Sequence, residues 1–92
     1  MQDGSEMQDT RGEILPTLVS WSMWAVSYAM VSGVRLVGTV TGQYGRLGWR
    51  LDNTDGKAKA ALDCWRSGQA VVNGRDLIDA HGRLLDDVRH LT

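Results

Sequence analysis

Ile14-Leu15-Pro16-Thr17-Leu18-Val19-Ser20-Trp21-Ser22-Met23-Trp24-Ala25-Val26-Ser27-Tyr28-Ala29-Met30-Val31-Ser32-Gly33-Val34 is a run of 21 residues without a formal charge. Such a run is long enough to cross a bilayer as a helix. Its content argues otherwise, because Pro16, Gly33, Tyr28 and Ser20, Ser22, Ser27 and Ser32 dilute the apolar residues. It does not read as a signal sequence either, since Asp3, Glu6, Asp9 and Glu13 outweigh Arg11 where a basic start is required. The run therefore reads as a buried helix followed by the start of a strand. Pro16 suits a first helical turn, and Gly33 suits a left-handed C-terminal cap. Trp24, Tyr28 and Val31 share one helical face, whereas Trp21, Val26 and Met30 lie elsewhere on the wheel, so this helix is expected to be contacted on more than one side.

Outward from that run, the period changes from helical to two. Val34, Leu36, Gly38 and Val40 alternate with Arg35, Val37, Thr39 and Thr41. After Gly42-Gln43-Tyr44-Gly45 the alternation resumes as Leu47, Trp49 and Leu51 against Arg46, Gly48 and Arg50. This is the pattern of an antiparallel hairpin whose turn takes positive φ. With the Trp49 row inward, Arg46 and Arg50 project from the opposite face, and Arg35 joins them from the first strand. A one-residue bulge would flip part of that assignment.

Asn53-Thr54-Asp55-Gly56 is turn chemistry that can cap a helix. Ala58, Ala61, Leu62 and Trp65 recur at helical spacing, giving a short amphipathic helix that stops at Gly68. Ala70-Val71-Val72 reads as one brief strand. Asn73 and Asp76 resemble a capping box, and Leu77, Ile78, His81, Leu84, Leu85, Val88 and Leu91 mark the inner stripe of a last helix, weakened at Gly82. The expected fold is thus α+β, in the order helix, β-hairpin, helix, short strand, helix. A small antiparallel sheet of two to three strands carries helices on one face. Residues 1–13 read as a disordered tail, and 14–92 as a single small domain.

These sequence features resemble an uncharacterised family of small α+β proteins found mostly in bacteriophages and other mobile elements. The resemblance rests on Trp24 with Tyr28, on Gly33-Val34-Arg35-Leu36, and on Arg46-Leu47-Gly48-Trp49-Arg50-Leu51-Asp52. Trp65 ahead of Gly68 and Val71-Val72-Asn73-Gly74-Arg75 complete it. Gly48 and Arg50 depart from the pattern, which has a β-former and an apolar residue at those places. The resemblance implies a fold and a mobile-element origin, and no reaction.

Composition narrows the chemistry. Among 92 residues, 10 cations and 11 acids leave a formal charge of −1, which excludes a generally basic nucleic-acid coat. The single Cys64 cannot form an internal disulfide, so a reducing, cytoplasmic setting is expected. Gly42, Gly45 and Gly48 form a spaced glycine series. A phosphate cradle needs a helix N-terminus after the loop, and here a strand follows. His81 and His90 lack zinc-ligand spacing with Cys64 or with Asp79, Asp86 and Asp87, and Cys64 has no evident base or orienting partner. No catalytic residue, metal or cofactor is therefore expected, and no membrane.

Eight of the ten cations are arginine, suited to bidentate contacts and stacking. The expected binding residues are Arg35, Tyr44, Arg46 and Arg50 on the sheet face and its turn, with Trp21, because Trp, Tyr and Arg dominate interface energetics. The leading expectation is a non-catalytic phage-type protein that occupies a host or defence component, as anti-CRISPR inhibitors do. Nucleic-acid binding through the arginine face and homodimerisation through a strand edge are the alternatives.

Overall fold

The computed structural model describes residues 16–91, with side chains as far as Arg89. The expected tail at residues 1–13, together with Ile14 and Leu15, lies outside them. The described chain is a small α+β fold: β1 (Thr17–Ser20), α1 (Met23–Val31), β2 (Leu36–Thr41), β3 (Leu47–Asp52), α2 (Lys57–Arg66) and α3 (Gly74–Leu91). The strands form an antiparallel sheet in the order β1-β3-β2. None of the described helices is long and apolar enough to cross a membrane.

The uncharged run divides differently from its sequence reading. Pro16 does not open a helix; it precedes edge strand β1, and the helix begins only at Met23. Ser22 is the N-cap, its hydroxyl accepting from the Ala25 amide at 3.3 Å. Ser20 reinforces the corner by accepting from the Ser22 amide at 3.3 Å. At the other end, Gly33 (φ +98°) closes α1 as expected. The Gly33 and Val34 amides donate back to Met30 and Ala29, each at 3.0 Å, in a Schellman arrangement.

α1 is contacted from several sides, as its apolar circumference requires. It packs on α2, on α3 and on the sheet. Val26 and Ala29 are fully occluded, and Ala25, Ser27 and Ala29 are small enough to let neighbouring elements approach. Burying a side chain such as Val26 or Leu51 contributes about 1.5–3 kcal/mol relative to leaving it exposed. Val34, Trp49, Leu51, Ala58, Ala61, Leu62 and Leu84 complete the core with α1. The Trp49 row therefore faces the helices, as the alternation predicts. Trp49 Nε1 is buried there without a hydrogen-bond partner among the described residues.

Ala70-Val71-Val72 is not a strand. It is irregular, with Val71 92% exposed, and the third strand is β1 instead. The three residues are the middle of the link, residues 67–73, between two capped helix ends. On one side, the amides of Gly68 and Gln69 close α2 onto Trp65 and Cys64. On the other, Asn73 caps α3, its Oδ1 accepting from the amides of Arg75 and Asp76 at 2.9 and 3.2 Å. A homodimer built on a 70–72 strand loses its basis.

Buried Asn53 joins three elements. Its amide donates to the Pro16 carbonyl (2.9 Å), its carbonyl accepts from Gly56 (3.0 Å), and its Oδ1 accepts from the Lys59 amide (3.0 Å). Replacing it with alanine strips a part-buried helix amide of its partner. Asn53→Ala is expected to lower stability by about 1–3 kcal/mol, read as a reduced midpoint with an unchanged slope in urea denaturation.

Candidate functional site: a tryptophan seated on glycine at the sheet edge

Strand register decides what the outer face of the sheet carries. Leu36 lies opposite Leu51, but Gly38 lies opposite Arg50, so one extra residue, Val37, is inserted in β2. The bulge moves Val40 to the outer face, opposite Gly48. It leaves Arg35 across from Asp52, on the same face as Arg50, so the arginine assignment survives it.

Gly42 and Gly48 are the residues that most shape this face. An added Cβ at Gly48 would lie 2.6 Å from the Trp21 ring, and one at Gly42 would lie 2.8 Å from it. The Trp21 indole thus rests on a floor of bare backbone. Arg46 covers it, with the guanidinium carbon 5.1 Å from the ring centroid, in cation–π geometry. The spaced glycines serve an aromatic seat rather than an anion cradle. Gly45 serves the turn: Tyr44 (φ +59°) and Gly45 (φ +75°) are both left-handed, and the Arg46 amide donates to the Gln43 carbonyl at 3.1 Å. That is a type I′ turn with an aromatic residue where Asn, Asp or Gly is usual. Tyr44 is fully exposed at its tip.

The expected site residues fall into two groups. Trp21 and Arg46 form one stack beside the turn bearing Tyr44. Arg50 donates to the Thr17 hydroxyl at 3.2 Å, and Arg35 pairs with Asp52 at 3.4 Å at the far end of β3. Asp52 lies six positions beyond Arg46, about 20 Å of extended chain. The three arginines therefore share a face without converging on one point.

Sequence reasoning overlooked the other half of the site. Trp65 and Arg66, at the end of α2, face the Trp21–Arg46 stack across an open groove of about 520 Å³. Val19, Ser20, Ser22, Ala25 and Leu62 line the remainder, and no carboxylate is among the described lining residues. Trp65 is braced by Tyr28, with ring centroids 5.7 Å apart. Tyr28 in turn donates to Cys64 Sγ at 3.6 Å, a bond that raises the pKa of its phenol. Arg66 reaches Asp63 at 3.0 Å but remains 76% exposed. The sequence signal was present in Gly48, a weak strand former placed amid strong ones.

Beyond this groove the described residues offer little chemistry. Among the described residues no group of His, Cys, Asp or Glu could hold a metal ion. His81 packs instead, stacking on Trp24 with centroids 3.8 Å apart. No family model, curated protein or solved structure matches the chain.

Two expected outcomes follow from this geometry. Valine normally strengthens a strand where glycine stood, yet here its Cβ would collide with the indole. Gly48→Val should destabilise the wild type but be neutral or stabilising in a Trp21→Ala background. The thermal-denaturation cycle should give a coupling of about 1 kcal/mol or more. The second outcome concerns acid. The Thr54 amide and hydroxyl hold the Asp52 carboxyl below its ordinary pKa, and Arg35 adds to this. Lys59, then Arg66, does the same for Asp63. A folded pKa below the unfolded one stabilises above the unfolded value, about 4, and that stability is lost as pH falls through the folded value. Asp52→Asn should flatten the fall in melting temperature on acidification below that pH.

Proposed function

We propose that this protein is a non-catalytic interaction module that recognises a protein partner through the groove between the Trp21–Arg46 stack and Trp65–Arg66, with Tyr44 at its margin. One observation carries the reading. A tryptophan stands on the outer side of the sheet, on two glycines that keep the floor clear, beneath an arginine and beside an open groove. A large aromatic held in place before a partner arrives loses little entropy on binding, and Trp, Tyr and Arg are the residues that dominate interfaces. Tyr44 adds support, since a left-handed backbone at a bulky residue is costly and such strain gathers at functional positions. The resemblance to small phage-type proteins extends the reading to a host or defence component whose surface is blocked, in the manner of an anti-CRISPR inhibitor.

Nucleic acid is the weaker alternative. Asp52 engages Arg35 and Thr17 engages Arg50, so the arginine face offers few cations for phosphate, and affinity would be modest, with a shallow dependence on salt. The test compares wild type with Trp21→Ala/Arg46→Glu, each checked for its fold by circular dichroism. Affinity capture from the native host is followed by nuclease treatment, alongside a single-stranded DNA column run across a salt series. A stoichiometric protein partner that survives nuclease and is lost with the double variant is expected. Retention of wild type on the DNA column at physiological salt, lost in the variant, would instead assign the face to nucleic acid.

A further inference from the structure

Building on the groove reading, we infer that its occupant is an extended, acidic segment of the partner protein that adds as a further strand to the edge of β1. β1 has a described neighbour on one side only, β3. The phase of its hydrogen bonds is set by the Asn53 amide, which donates to the Pro16 carbonyl at 2.9 Å. In an antiparallel ladder bonded and non-bonded pairs alternate. Leu18 and Ser20 therefore exchange bonds with Leu51 and Trp49, while Thr17 and Val19 turn their amides and carbonyls away from the sheet. Those outward groups are the template that β-strand addition uses.

Three features of the same edge select what is added. β1 reads Thr-Leu-Val-Ser, without the charge or internal proline that usually blunts an exposed edge. Its Val19 and Ser20 lead into the groove, where Trp21 and Trp65 present apolar rings for side chains of the incoming strand. Arg46 and Arg66 bring guanidinium groups from two different elements to that groove, Arg66 while also paired with Asp63, and no carboxylate is among its described lining residues. Backbone bonds supply register, the tryptophans accept apolar residues, and the arginines demand carboxylates. The ligand class is thus an extended segment that mixes Asp or Glu with β-branched or aromatic residues.

The experiment selects peptides from a random display library on the intact chain, then measures recovered sequences as labelled synthetic peptides by fluorescence anisotropy. Acidic, β-prone sequences are expected. Arg46→Glu/Arg66→Glu should weaken them by about tenfold or more, as should N-methylation of alternate peptide amides. Amide chemical shifts of Thr17 and Val19 and the indole signals of Trp21 and Trp65 should move on titration. Failure to recover any peptide, recovery without acidic enrichment, or affinity indifferent to N-methylation would overturn the inference. So would a tenfold gain on neutralising Asp3, Glu6, Asp9 and Glu13, which would give the groove to the chain's own N-terminal segment. A self-associated chain, seen by sedimentation and dissociated by Val19→Pro, would give the edge to a second copy. Peptide failure alongside a nuclease-resistant partner still lost in Trp21→Ala/Arg46→Glu would refute the acidic strand and leave the groove standing.

Discussion

The structure depends on burying α1 on several sides at once. Val26 and Ala29 are fully occluded because the sheet, α2 and α3 all close on this one short helix. The arrangement requires a helix that is apolar around its circumference and small where neighbours come nearest, which Ala25, Ser27 and Ala29 supply. Ser27 makes the polar exception tolerable by returning its hydroxyl to the Met23 carbonyl at 2.8 Å. A small domain buries a limited share of its surface, so concentrating the core around one segment is an economical solution.

That concentration frees the outer face of the sheet. With Trp49 and Leu51 committed inward, the alternation sends Arg46, Gly48 and Arg50 outward, where no described helix roofs them. Trp21 then folds onto that side from the corner between β1 and α1. The same corner that starts the central helix thereby positions the exposed aromatic, and core and candidate interface share a hinge of three residues, Ser20 to Ser22. The position of Trp21 is thus tied to the burial of α1.

Much of this was legible in the sequence, and the exceptions have physical causes. The hairpin, the Gly33 and Gly68 stops, the Asn73 cap and part of the α3 stripe follow from periodicity and from residues with strong conformational preferences; Ile78 and Leu85, expected on that inner stripe, are exposed, and Ala80 is buried instead. β1 was not legible, because four uncharged residues after a proline fit the opening of a helix as well as an edge strand. The decisive signal was Ser22, a better cap than Pro16 is a first-turn residue, three positions before Ala25. Val71-Val72 misled in the opposite direction: β-branched residues favour strands only when a neighbour is available to pair. The arginine face was read correctly despite the bulge at Val37, since the inserted residue lies after Arg35 and β3 itself is regular. The groove required tertiary structure, because nothing in the chain order relates Trp65 and Arg66 to Trp21 and Arg46.

The long last helix has an uneven attachment. α3 docks chiefly on α1, through Ala80, Leu84 and the Trp24–His81 stack, while Ile78 is 64% exposed on its far side. Elements secured along a single seam tend to detach as units before the remainder melts. Loosening that one seam would therefore bare Leu84 and a flank of α1 together, so the last helix works as a clamp whose grip is felt directly in the core.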